Sequence, residues 1–247
     1  MKFDDLTVTA KTPPPEGLDA HEYFSAAPYL WGTEHRNGDR NPDCMSERFD
    51  RARVERFCAV LVSHPEQRDR LLRQWYVSEA TAMRPHLEYA QHNRATAGMV
   101  EARWATFPFT LPLGTPTTFA GRPWVEQFLG WLEHSPKGRR GSAQPNNIGT
   151  WYDVSRLRLA RFLGDQERIA AVTASVLARA QAQIESAGRM PHEAGRANAS
   201  HYTRFALAAF EEAAALAVNE ASSRCIRRLI APVYRRLETE HGTDPVV

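Results

Sequence analysis

The stretch AQPNNIGTWYDVSRLRLARFLGD, from Ala143 to Asp165, is the segment from which the fold of this chain is best inferred. It reads as a loop that runs into a helix. Two adjacent amides, Asn146 and Asn147, stand where that helix begins. An asparagine at a helix start is ordinarily an N-cap, whose side chain accepts a hydrogen bond from a backbone N–H of the first turn. One cap explains one amide, so the second needs another explanation. It could offer N–H donors to a carboxylate, with Trp151 beside it as a flat wall for a sugar ring.

Composition limits the class of protein. The chain has 247 residues, of which 43% are hydrophobic, so we expect one domain with a sizeable core. A formal net charge of +2 favours neither a nucleic-acid partner nor an anionic membrane. The three cysteines lack the close spacing of a disulfide framework or a zinc site. We therefore expect no metal and no other cofactor.

The N-terminal residues and the hydropathy pattern bear on location. Residues 1–19 are polar and proline-rich, which predicts a flexible arm ahead of a domain over residues 20–240. The start of the chain has no apolar core of the kind a secretory signal needs. No apolar run approaches the roughly 20 residues of a membrane span. We expect a cytoplasmic protein, or a secreted or periplasmic one if a leader has been removed.

Helical periodicity dominates the pattern. Apolar residues at helical spacing predict helices over the ranges 46–63, 65–77, 123–134, 166–185, 201–218 and 222–238. Because no segment alternates as strands do, the predicted fold is all-α and built of helical hairpins. Residues 82–120 hold prolines, glycines and polar clusters, which predict a long irregular and functional segment. Gly188 is expected to end the helix before it, and Pro232 to kink or break the last helix.

A second polar stretch, GRMPHEAGRANASHYTRF, runs from Gly188 to Phe205. Arg196 falls in the predicted connecting loop and Tyr202 in the first turn of the next helix. The bend between them can bring the two side chains together, and an arginine near a phenol favours the phenolate. The alternative is that Tyr202 is an ordinary half-buried residue of an amphipathic helix.

Two further stretches concentrate polar and aromatic side chains. RPHLEYAQHN, residues 84–93, includes His86, Tyr89 and Gln91. Its histidines lack the spacing of a metal motif, so a polar binding loop is the better interpretation. HEYFSAAPYLWGTEHRNGDRNPD, residues 21–43, either packs the N-terminal region onto the domain or lines a groove for sugar rings.

Together the four stretches resemble the alginate lyase family of polysaccharide lyases. The matching text is EYFSAAPYLW with RNGDRNPD, then MRPHLEYAQ, then NNIGTWYDV with ARFLGD, then GRMPHEAGRANASHYTRF. These segments occur in the family's order and span about residues 20 to 218. The resemblance implies an incomplete (α/α) toroid of helical hairpins in a single domain. It also implies β-elimination on a uronic-acid polymer.

The residue types suit that chemistry. Removal of the C5 proton becomes feasible when the neighbouring carboxylate is neutralised, and it needs a base and an acid. The resemblance assigns Asn147 and Arg196 to the carboxylate, and Tyr202 to catalysis as base and, in some members, also as acid. Substrate-binding roles are expected for Asn146, Trp151, His86, Tyr89, Gln91, His201 and His192.

One position departs from the family pattern and keeps alternatives open. Members commonly carry NNH, whereas this chain has Ile148 after its two amides, and isoleucine can neither donate a hydrogen bond nor share a proton. His201 or His192 would have to take that role. The leading hypothesis is a lyase acting on an acidic oligosaccharide or polysaccharide. The alternatives are a carbohydrate-binding protein that has lost the chemistry, and a lyase-fold enzyme of a biosynthetic pathway acting on a small carboxylate metabolite.

Overall fold

The structure, a computed structural model, describes residues 121–241 together with Leu61, Thr106 and Phe109. Residues 121–241 are helical and contain no strand, which confirms the predicted all-α class. Their seven helices are α1 (Arg122–His134), α2 (Pro136–Ser142), α3 (Asn147–Leu163), α4 (Gln166–Gln183), α5 (Pro191–Ala194), α6 (Ala199–Leu216) and α7 (Glu220–His241).

Contacts divide the chain into two compact units, residues 1–138 and 139–247. The second unit contains α3 to α7. The predicted boundary between an arm over 1–19 and a domain over 20–240 lies outside the described residues and stays a prediction.

The helices predicted over 123–134, 166–185, 201–218 and 222–238 are confirmed as α1, α4, α6 and α7, with ends within about three residues. The predictions over 46–63 and 65–77 lie outside the described residues, apart from Leu61, which is helical. The prediction that residues 82–120 are irregular is wrong at Thr106, which is also helical.

Helix α3 is the central element of the second unit. It begins at Asn147 because the Asn146 side chain caps it, accepting a hydrogen bond from the Ile148 N–H at 3.1 Å. It ends at Gly164, which adopts the left-handed conformation with φ of 72°. Twelve of its 17 residues are buried, so α3 is enclosed on nearly every side.

One hydrophobic core is shared by α3, α4, α6 and α7. Each fully buried aliphatic or aromatic side chain contributes about 1.5–3 kcal/mol relative to exposure. The fully enclosed apolar side chains of this core include Leu157, Ile169, Val172, Val176, Phe210, Ile226, Ile230 and Val233.

Helices α3 and α6 run parallel. Trp151 packs on Phe205 with ring centroids 5.4 Å apart, and further along Arg158 pairs with Glu212. At the far end, Arg161 donates to the carbonyls of Leu216 and Ala217. The partners in these last contacts are 54 to 56 residues apart in sequence. Because the register is parallel, both helices begin at the same end of the unit.

Two predictions about helix breaks are corrected by packing. Helix α7 continues through Pro232, so the predicted break is wrong, while the predicted kink stays a prediction. The cost of about 3 kcal/mol for an internal proline is offset by burial of Ile230 and Val233 beside it. Helix α4 ends at Gln183, and Gly188 lies in the turn beyond it with φ of 78°. There a Cβ would clash with the Pro232 carbonyl oxygen. Gly188 is therefore required for close approach to α7, and it does not end α4.

We expect Gly188→Ala to lower the free energy of unfolding by at least about 2 kcal/mol more than Gly164→Ala. Both positions have nearly the same positive φ, but a Cβ at Gly164 meets nothing within 4 Å. The difference therefore isolates the clash with Pro232. Urea denaturation of the two variants measures it, and equal losses would contradict the proposed contact.

Candidate functional site

Four side chains meet at the end of the unit where α3 and α6 begin. They are Asn147 from the first turn of α3, Glu193 from α5, Arg196 from the loop after α5, and Tyr202 from the first turn of α6. We call these four residues the site cluster. Each is linked to the next by a direct contact, so the structure brings together the three residues assigned to catalysis and adds a fourth.

Asn147 binds the Glu193 carboxylate with both its backbone and its side chain. Its backbone N–H donates to Oε1 at 2.6 Å, and its Nδ2 donates at 3.0 Å to each carboxylate oxygen. Asn147 is 3% exposed and Glu193 only 1%. The second amide of the pair is therefore explained in this structure by a carboxylate of the protein itself.

Arg196 connects Glu193 to Tyr202. Its Nη1 lies 3.9 Å from Glu193 Oε2, and its guanidinium carbon lies 3.4 Å from the centroid of the Tyr202 ring. The guanidinium thus stacks on the face of the phenol, which is a cation–π arrangement. The Arg196 side chain is 34% exposed to solvent, so one end of the cluster can be reached from solvent.

The other polar groups at the start of α3 serve the fold. Asp153 is buried and accepts hydrogen bonds from Arg179 Nε at 2.9 Å and from Ser175 at 3.3 Å. Burial raises the pKa of Asp153 above its ordinary value, and the Arg179 guanidinium opposes that shift. Arg179 also donates to the carbonyls of Ser142 and Gln144, which fixes the loop that leads into α3.

The predicted binding residues fall in different environments. Asn146 is the cap of α3, and Trp151 lies in the core with 5% exposure, not on an exposed wall. His201 is exposed, and its ring packs edge-on against the Tyr202 ring with the two centroids 5.2 Å apart. His192 is exposed, on α5. His86, Tyr89 and Gln91 lie outside the described residues, and their roles stay predictions.

Sequence reasoning missed Glu193. The residue stands inside the polar stretch 188–205, three positions before Arg196 and two after Pro191, a residue suited to the first turn of a helix. That spacing places an acid and an arginine one helical turn apart and was the available signal. The pattern could not show that the carboxylate turns inward to Asn147.

Neither a metal-binding cluster nor a membrane-spanning helix is present among the described residues. Within them, no group of three or more His, Cys, Asp or Glu side chains is placed to hold a metal ion. In the same part of the chain, none of the helices combines the length and apolar character needed to cross a bilayer.

We expect Asn147→Asp to destabilise the fold by about 3 kcal/mol or more at neutral pH, because a second buried carboxylate would face Glu193. Lowering the pH far enough to protonate one of the two should restore part of the loss. Asn146→Asp is the matched control, since aspartate caps a helix as well as asparagine does. Thermal melting of both variants from about pH 4.5 to about pH 8 tests this. A pH-independent melting difference between them would contradict the buried contact.

The comparisons with known proteins agree with one another. The sequence model of the alginate lyase family matches residues 7–223. Among solved structures, an alginate lyase from Bacteroides ovatus superposes with a TM-score of 0.61 at 22% sequence identity, over 86% of this chain and 68% of that chain. At this identity the superposition supports the fold alone, in agreement with the predicted toroid of helical hairpins. No curated protein sequence matches this chain.

Proposed function

The chain belongs to the alginate lyase family, and we propose that it cleaves an acidic oligosaccharide or polysaccharide by β-elimination at a uronic-acid unit. A base takes the C5 proton, and the electron pair of that C–H bond becomes the C4–C5 double bond. The C4–O bond breaks, and its oxygen leaves with a proton from an acid. The observation that carries the proposal is the continuous contact from Asn147 through Glu193 and Arg196 to Tyr202.

Arg196 and Asn147 are the groups we propose for the substrate carboxylate. Proton loss at C5 places charge on that carboxylate, and donors already fixed around it stabilise the enolate-like state. Arg196 has a side chain that is one-third exposed, and a guanidinium can bind a carboxylate through two parallel hydrogen bonds. Asn147 Nδ2 already donates to both Glu193 oxygens, so Asn147 binds a substrate carboxylate in this proposal by redirecting one of those two hydrogen bonds.

Tyr202 is the proposed catalytic residue. It is half-buried in the first turn of α6, where the stacked Arg196 fixes the plane of its ring. A phenolate can accept the C5 proton, and the resulting phenol can return a proton to the leaving oxygen. His201 borders the ring and is the proposed neighbour of the leaving group.

We expect Tyr202→Phe to lower the rate of formation of unsaturated ends by at least about 100-fold, because the base is lost. The readout is the ultraviolet absorbance of the new double bond during a screen of uronate polymers and oligomers. Tyr234→Phe is the matched control, since Tyr234 is a phenol on α7 that donates to Glu211 and has no part in the site cluster. Full activity of Tyr202→Phe would contradict the proposed role of Tyr202 as the catalytic base.

A second candidate function, carbohydrate binding without turnover, is favoured by one observation. Ile148 is half-buried in the first turn of α3, where it offers the site only a backbone amide that already donates to Asn146. The family commonly has a histidine at that position, and the aliphatic side chain of Ile148 has no group that could take over its hydrogen bond or its proton. A small carboxylate metabolite as substrate would fit the same donors and belongs in the same screen.

Ile148→His separates these functions. We expect the variant to form unsaturated ends faster than the wild type, because it regains a group that can share a proton. Ile148→Leu is the control for altered packing and should leave the rate unchanged. Binding of uronate oligomers by the wild type and the histidine variant, without turnover in either, would favour the binding protein.

A further inference from the structure

We infer that Glu193 is a positioning residue of this site: its buried carboxylate holds Asn147 and Arg196 in the arrangement that receives the substrate carboxylate. The inference rests on the proposed function. Glu193 is not assigned to touch the sugar, because its side chain is enclosed and its oxygens already face protein donors.

The first argument is the cost of the buried charge. A carboxylate with 1% exposure is strongly unfavourable unless hydrogen bonds and an opposite charge compensate for lost water. Here the compensation comes from Asn147, through its backbone N–H and Nδ2, and from the Arg196 guanidinium at 3.9 Å. The groups that satisfy Glu193 are therefore the same two groups assigned to the substrate, so each fixes the other.

The second argument is position in the chain. Asn147 is the first residue of α3, and its N–H is one of the donors that a helix leaves unsatisfied at its start. Glu193 reaches it across 46 residues and places negative charge at the helix N-terminus, where the helix dipole favours it. One carboxylate thereby joins α3 to the α5 turn and to the loop that presents Arg196.

The third argument is charge, and it distinguishes positioning from a purely structural role. Glu193 balances part of the Arg196 charge while it orients the guanidinium over Tyr202. If the negative charge is removed, Arg196 attracts a substrate carboxylate at least as strongly, but its orientation and that of Asn147 are no longer fixed. The expected signature is a lower kcat without a higher KM, since misplacement by about 1 Å costs on the order of 100-fold in rate.

The experiment compares Glu193→Gln and Glu193→Asp in the full chain. Glutamine keeps the shape but turns a donor group toward the Asn147 donors, and aspartate keeps the charge but withdraws it by one methylene. Asp153→Asn is the matched control, because Asp153 is an equally enclosed carboxylate on α3 that joins it to Arg179 and does not contact the site cluster. Each variant is assayed for kcat and KM below its melting temperature. Hydrogen exchange at the Asn147 backbone amide is followed without substrate.

We expect kcat to fall about 10- to 100-fold in both Glu193 variants, with KM unchanged or lower for the glutamine variant. Exchange at Asn147 should accelerate at least about tenfold in Glu193→Gln, as its hydrogen bond weakens. Asp153→Asn should lower the melting temperature and leave kcat unchanged. In an active wild type, an unchanged kcat in Glu193→Gln, or an equal loss in Asp153→Asn, overturns the inference.

Failure of the proposed function gives a different result. If the wild type forms no unsaturated ends on any uronate tested, the lyase proposal fails by itself. Hydrogen exchange at the Asn147 backbone amide then tests by itself whether Glu193 fixes Asn147. An unaltered exchange rate in Glu193→Gln overturns that part of the inference.

Discussion

The described unit depends on one constraint: helix α3 is largely enclosed, so the polar side chains that it buries need hydrogen-bond partners inside the protein. Asn147 meets Glu193, Thr150 meets Gln183, and Asp153 meets Arg179. Further along, Arg158 binds Glu212 through two hydrogen bonds of 2.6 and 2.8 Å. These pairings explain why the start of α3 is so rich in hydrogen-bonding side chains. They also fix where α4, α5 and α6 lie against it.

The site follows from the same constraint at the end of α3. A buried amide there requires an acceptor, which here is the Glu193 carboxylate. The buried charge of that carboxylate is in turn compensated in part by Arg196, which lies on the Tyr202 ring. Donors that already hold one carboxylate have the chemistry to recognise another. The proposed lyase site is in this sense continuous with the interior, and Arg196 and Tyr202 are its partly exposed members.

Much of this could be predicted from local pattern. Apolar spacing predicted four helices in the described residues, one asparagine of the pair was predicted as a cap, and the four polar stretches led to a family that the comparison confirms. Local pattern could not identify Glu193 or Arg179, because their partners are 46 and 26 residues away. It failed for a break at Pro232 and for a helix end at Gly188, since both outcomes depend on tertiary packing.

The parallel register of α3 and α6 has a consequence for the order of folding. Helices α3 and α4 are joined by a short turn at Gly164, whereas the contacts between α3 and α6 join residues 54 to 56 positions apart. Closing the longer loop costs entropy before its contacts repay it, so the local hairpin is favoured to form first. The first turn of α6 carries Tyr202, and by the same argument we expect it to dock on α3 after that hairpin has formed. A chain in which α6 has yet to dock can thus have native hairpin structure without a complete site, which links acquisition of the proposed activity to a late folding step.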